Sequence, residues 1–420
     1  MISYDGLENE KHINLQLYSA MSFYLFRMCI RKLPGLIIKA VPLPEPDIIE
    51  GFSSRENVGM LCKKLACRSA LLVTDQKLLS LGFHEKIVKS LEKNGIKFEI
   101  FANISSEPSV QTVSEGGKTA VACKADCILA LGGGSVLDTC KIIAAYAAHP
   151  KRKIGYFLQK FTFAKTLPMI SIPTTAGTGA EQTVGAIIKN KKGAKKSTVI
   201  VGLRVPYVIL DSELTVDAPR SVTLACGIDA LSHGLEGCMA DVKVSEEDEI
   251  KSRECVRLVL ENLPELMKNP KDIEKRQKLC LAANYGGNAI NKQLAGYIHA
   301  FAHTLGACYH ISHGEAIAHC LLPIAEYHKE ICEEKLGTLS LYCGLASEDD
   351  SLDAAAEKLL VKLKELLTIC GFAAGFEKLS KSDYPKLIKG INADSVNYSP
   401  EKTLTDKEIV YLLEKIRKEI

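Results

Sequence analysis

Six of the ten histidines fall between His299 and His328, within the C-terminal half of a 420-residue chain. Their spacing, together with one upstream aspartate, suits metal chemistry. In GIDALSHGLEG (Gly227–Gly237), Asp229 and His233 are four residues apart, so on a helix both project from one face. In GYIHAFAHTLGACYHISHG (Gly296–Gly314), His299 and His303 repeat that spacing, and His313 follows in a HisGly turn. Two such pairs on separate helices can converge on one ion. A carboxylate with three imidazoles is an N/O donor set for a divalent transition metal. His310, His319 and His328 read as hydrogen-bonded core or surface residues.

Two loops could hold phosphate. DCILALGGGSVLDTCK places Gly132, Gly133, Gly134 and Ser135 between an expected strand and an expected helix. Glycines let a backbone approach a phosphate, and a helix N-terminus offers free N–H groups and a partial positive charge. Ser135 is placed to cap that helix, with Asp138 in its first turn. The string matches neither the GxGxxG fingerprint nor a Walker loop, and a steric role for the glycines is the other reading. SIPTTAGTGAEQT (Ser171–Thr183) carries Thr174, Thr175 and Thr178 among glycines. It suits a pyrophosphate or ribose, or an ordinary polar turn.

The surrounding elements position these residues. From 46 to 215 short β-rich runs alternate with amphipathic stretches: SALLVTD, LGFHEKIVKSLEKNG, IKFEIFANI, DCILALGGG, PMISIPTT and VPYVILD. That alternation predicts a parallel sheet covered on both faces. From 216 to 420 strand signals largely vanish and long helical patterns such as EEDEIKSRECVRLVLENLPELM take over. The expected organisation is an α/β dinucleotide-binding domain over 46–215 and a helical metal-binding domain over 216–420. Residues 1–45 form a segment expected to pack on the fold. Its apolar run from Leu15 is broken by Arg27 and fits neither a spanning helix nor a signal peptide.

A net charge of +3 gives no basis for a nucleic-acid or membrane partner. The 15 cysteines follow no disulfide framework and read as reduced core thiols in a cytoplasmic protein, the Cys123–Cys127 pair included.

GGGSVLDTCK, IPTTAGTGAE, GIDALSHGLEG and GYIHAFAHTLGACYHISHG occur together and in this order, and in this the chain resembles the iron-containing alcohol dehydrogenases from about residue 45 to past 330. The resemblance implies a metal in the cleft between the two domains, held by Asp229, His233, His299 and His313. The ion expected is Fe2+, with Zn2+ the alternative. His303 matches a non-ligand histidine near the nicotinamide, implicated in proton relay. Gly133, Gly134, Ser135 and Asp138 match the pyrophosphate loop, and Thr174, Thr175 and Thr178 a second cofactor loop. Asp75 matches a position near the adenosine ribose; capping the following helix is its other reading. Lys196 matches a cofactor-contacting lysine.

The implied activity is reversible hydride transfer between NAD(H), or NADP(H), and a small primary alcohol or aldehyde, in a homodimer. Ala180 and Ile317 depart from residues frequent in the family. HGEAIA also resembles dehydroquinate synthases, whose chemistry needs a basic clamp that the sequence does not display. A glycerol or polyol dehydrogenase, and a scaffold that only binds dinucleotide, complete the alternatives.

Overall fold

The structure, a computed structural model, describes residues 45–105, 108–189, 195–372, 375–395, 398 and 402–418. The N-terminal segment, apart from its last residue, therefore lies outside the described residues, and so does the expectation attached to it.

Six parallel strands form the main sheet: β1 (Asp47–Glu50), β2 (Ser69–Val73), β3 (Lys97–Phe101), β4 (Cys127–Gly132), β6 (Met169–Pro173) and β9 (Tyr207–Leu210). Their order is β1-β9-β6-β4-β2-β3. β4 and β6 are buried at every residue, as near-continuous apolar runs in central parallel strands must be. Alternate residues serve opposite faces. Leu71, Val73, Ile128 and Ala130 enter one core, and Leu72, Leu129, Leu131 and Ile172 enter the other. A smaller sheet joins β5 (Phe161–Phe163), β8 (Lys195–Val201) and β7 (Gly185–Lys189) in the order β5-β8-β7.

Helices α1 (Val58–Lys64), α2 (Gln76–Ser80), α3 (Glu85–Lys93), α4 (Val110–Ala122) and α5 (Gly134–Ala148) connect the strands. After β9 the described chain is helical: α6 (Arg220–Met239), α7 (Glu246–Lys268), α8 (Ile273–Gln293), α9 (Tyr297–Tyr309), α10 (His313–His328), α11 (Glu333–Tyr342), α12 (Leu352–Ile369), α13 (Tyr384–Ser395) and α14 (Asp406–Lys418). They share a third core that includes Leu231, Leu263, Phe301, Leu321 and Leu363.

The chain leaves β2 toward the β3 edge and leaves β4 toward β6 and β9. That reversal makes the carboxyl ends of β2 and β4 a switch point, where open α/β sheets take their ligands.

Candidate active site

Asp75 follows β2 and is the N-cap of α2; its Oδ1 accepts from the Leu78 N–H at 2.9 Å. Gly132 ends β4, and its carbonyl accepts from the Thr174 N–H at 3.1 Å, tying the two loops together. Gly133, with no side chain to offer, is the N-cap of α5. Two expectations are corrected here. Ser135 is the second residue of α5 instead of its cap, because the helix already starts at Gly134. Asp138 lies past the first turn, where its Oδ1 meets Lys141 Nζ at 3.0 Å and its Oδ2 accepts from the Ile187 N–H at 2.9 Å. Lys141 is fully buried and also donates to Thr183 Oγ1 and the Gly185 carbonyl. Asp138 thus anchors β7 to α5.

The threonine loop after β6 lies against the glycine loop. A Cβ built on Gly133 would meet Thr175 at 3.4 Å, and one on Gly134 would meet Thr178 Oγ1 at 3.2 Å. Thr174 is buried beneath them. Lys196 lies on β8 in register with Ile188, in the smaller sheet.

The metal-type cluster is built by α6, α9 and α10. α6 carries Asp229 and His233 on one buried face. α9 presents His299, and His313 is the first residue of α10, where the sequence suggested a turn; Ser312 caps that helix by accepting from the Glu315 N–H. Asp229 Oδ1 lies 3.1 Å from His313 Nε2, 3.4 Å from His233 Nε2 and 3.7 Å from His299 Nε2. One ligand atom each from Asp229, His299 and His313 falls within 4.8 Å of the others. The His233 ring stacks on His299 with centroids 4.7 Å apart. Asp229 Oδ1 and His299 Nε2 are buried, and although they lie close to each other and Asp229 Oδ1 lies close to His313, neither makes a well-aligned hydrogen bond. Buried polar atoms rarely go unsatisfied, and these two aim at one point. Carboxylate oxygen and imidazole nitrogen at that point fit a divalent transition metal.

Electrostatics divide the cluster. Burial works against the Asp229 carboxylate, but His233, His313 and His299 hold it well below its usual range. Burial pushes the His233 imidazole down to about 4. For His299 burial also acts downward, yet Glu236 and Asp229 override it and lift the imidazole to about 10. Glu236 Oε2 lies 2.5 Å from His299 Nδ1, and Oε1 accepts the His299 backbone N–H.

Sequence reasoning missed Glu236, although it sits three residues past His233 on the same helix. A carboxylate behind a ligating histidine orients the ring and raises its basicity.

His303 stands apart from Asp229. Its Nδ1 is 2.8 Å from Asp394 Oδ2 and 3.1 Å from the Tyr398 hydroxyl, which itself donates to Asp394. Its ring stacks on His313 at 5.1 Å. No sequence signal pointed to Asp394 or Tyr398, since they lie 91 and 95 residues from His303.

Residues 45–212 match the iron-containing alcohol dehydrogenase family, and residues 223–417 match the C-terminal region of the Fe-containing alcohol dehydrogenase family. The NAD-dependent methanol dehydrogenase of Bacillus methanolicus is 29% identical over 88% of this chain and 97% of its own length. Alcohol dehydrogenase 4 of Saccharomyces cerevisiae (strain YJM789) is 30% identical over 71% of this chain and 79% of its own. A crystal structure of 1,3-propanediol oxidoreductase superposes with a TM-score of 0.81 at 26% identity, covering 89% of this chain and 99% of that one. With both halves matched in order, this chain belongs to the iron-containing alcohol dehydrogenase family.

Proposed function

We propose that this chain is a metal- and NAD-dependent alcohol dehydrogenase that interconverts small primary alcohols and aldehydes. The convergence of the Asp229, His299 and His313 donor atoms, with Glu236 behind His299, is the observation that carries this reading. Asp229, His233, His299 and His313 would hold the ion, with Fe2+ the expected metal and Zn2+ the alternative. The methanol dehydrogenase relative is NAD-dependent, which supports NAD as the cofactor.

When bound, the metal lowers the pKa of an alcohol or polarises a carbonyl, and the nicotinamide carries the hydride. The chain's own groups do the rest. The N-terminus of α5 would offer its N–H groups to the pyrophosphate, with Thr175 and Thr178 alongside. Asp75, just past the end of β2, would accept from a ribose hydroxyl. His303 passes the proton between the substrate oxygen and solvent, oriented by Asp394 and Tyr398. Residues 46–215 then serve as the cofactor domain and 216–420 as the metal domain. The free cysteines support a reducing, cytoplasmic setting. A homodimer is the expected assembly, readable by light scattering.

The test is NADH oxidation with a panel of short aldehydes and dihydroxyacetone, together with elemental analysis of anaerobically purified protein. Turnover of aldehydes that His299→Ala abolishes along with bound metal supports the reading. A preference for dihydroxyacetone moves it to a polyol dehydrogenase. A metal-replete, active His299→Ala protein would sink the ligand assignment. His303→Ala should keep the metal and lose rate.

A further inference from the structure

The catalytic reading uses none of the cysteines. Three of them are gathered in one place: the sulfurs of Cys62, Cys67 and Cys127 lie within 4.8 Å of one another, and all three residues are buried. Two local features build the cluster. α1 carries Cys62 in its last turns and ends in a Schellman motif. The Ala66 N–H bonds to the Lys63 carbonyl and the Cys67 N–H to the Cys62 carbonyl. Ala66 takes the left-handed position, φ 56°, where glycine is usual. That reversal folds Cys67 back toward Cys62. Cys127 arrives independently as the first residue of β4. Asp126, just before it, accepts from the Arg68 and Ser69 N–H groups at 3.0–3.1 Å and so fixes the turn against the start of the strand.

A single buried thiol packs as a small hydrophobe and needs no partner. A Schellman contact explains Cys62 against Cys67. Neither accounts for a third sulfur delivered by a separate strand with a carboxylate beside it. Plane geometry puts some point within about 2.8 Å of all three sulfurs when none are more than 4.8 Å apart. A zinc–sulfur bond is about 2.3 Å, so a shift of a few tenths of an ångström would close the site.

We propose that Cys62, Cys67 and Cys127 supply three thiolates to a second, structural metal site for Zn2+. It lies at the amino ends of β2 and β4, about 17 Å of strand from the glycine loop at the far end of β4. The ion would tie the end of α1 to the start of β4. Nothing in it depends on the catalytic reading.

The catalytic cluster offers only nitrogen and oxygen, so a sulfur signature reports the cysteines alone. Cobalt(II) added to the purified full-length protein, after its bound metal has been removed with a chelator, should produce one equivalent of thiolate-to-cobalt charge-transfer absorption. The band should persist in His299→Ala and in Cys123→Ser, and disappear in Cys67→Ser and in Cys127→Ala, with folding checked by circular dichroism. Absence of the band from the unaltered protein overturns the proposal whatever the variants do. A band that survives both Cys67→Ser and Cys127→Ala overturns it by assigning the sulfur to other thiols.

Discussion

His299 sits between two buried carboxylates, and that position determines how metal binding should respond to pH. Its imidazole is lifted to about 10 despite burial, so near neutrality the metal-free cluster keeps a proton there. A ligating nitrogen must give that proton up. Metal affinity is therefore expected to rise with pH through the neutral range and flatten above about 10. Uptake near pH 7.5 should release about one proton per ion, readable by calorimetry in two buffers; no release would remove His299 from the ligand set. In the metal-free protein the raised value contributes stability that is complete below about 6.5 and lost as pH climbs through about 10. Glu236→Gln keeps the shape but removes the charge behind the ring, and should weaken metal affinity by about 10–100-fold. Asp75 makes the complementary case, since its carboxylate already caps α2. Glycine is nearly as good a cap, so Asp75→Gly should change stability by only a few tenths of a kcal/mol. If the carboxylate also faces the ribose, the same change narrows the preference for NAD over NADP in kcat/KM; an unchanged ratio leaves only the cap. At this scale the sequence was informative wherever spacing and chemistry coincide. Asp229, His233 and His299 could be read from helical periodicity, whereas Asp394 and Tyr398 reach His303 only through the tertiary fold.

At the scale of elements, the threonine loop is seated by a close backbone approach. Gly179 has φ 56°, and a Cβ there would fall 2.3 Å from the Gly287 Cα on α8. One on Gly287 would fall 2.1 Å from the Gly179 carbonyl oxygen. Backbone cannot swing aside as a side chain can, so Gly287→Ala must displace the loop from the helix. Overpacking of this kind costs about 1–3 kcal/mol. Urea unfolding should show that loss, and NADH affinity should fall with it because Thr175 and Thr178 ride on the loop. Wild-type affinity in Gly287→Ala would show that the loop's seat on α8 does not set the cofactor site. The central strands were legible because β4 and β6 are near-continuous apolar runs. The smaller sheet was not: β5 has three residues and β7 alternates buried and partly exposed positions, too short a signal to stand out. Glycine loops told where phosphate could sit, but not that Gly133 and Gly134 would face Thr175 and Thr178.

Over the whole molecule, α8 is the member that joins the helical half to the sheet. Gln277 donates to the Leu210 carbonyl at the end of β9, and Asn291 accepts from the Val184 N–H. Between them Asn284 bonds both Gln182 and Glu181, at 2.9 and 3.1 Å. None of this was legible in the sequence, because each partner is an ordinary polar residue whose meaning depends on which helix meets which loop. Glu181 is fully enclosed, and burial raises its carboxyl above the ordinary value while the Asn284 amide pulls it back down. A raised carboxyl favours the folded state when protonated, so its contribution to stability is present at low pH and lost as pH rises. Asn284→Ala removes the donor, raises Glu181 further, and leaves a carboxylate without that partner in the joint between the halves. The expected cost is about 1–3 kcal/mol, larger at pH 8 than at pH 5.5. Glu181→Gln in the same background should flatten that pH dependence, since an amide has no proton to lose. Urea unfolding of the two variants and their combination at both pH values measures the coupling directly. A loss independent of pH in Asn284→Ala would mean that the amide acts through Gln182 alone and that Glu181 is satisfied by other means.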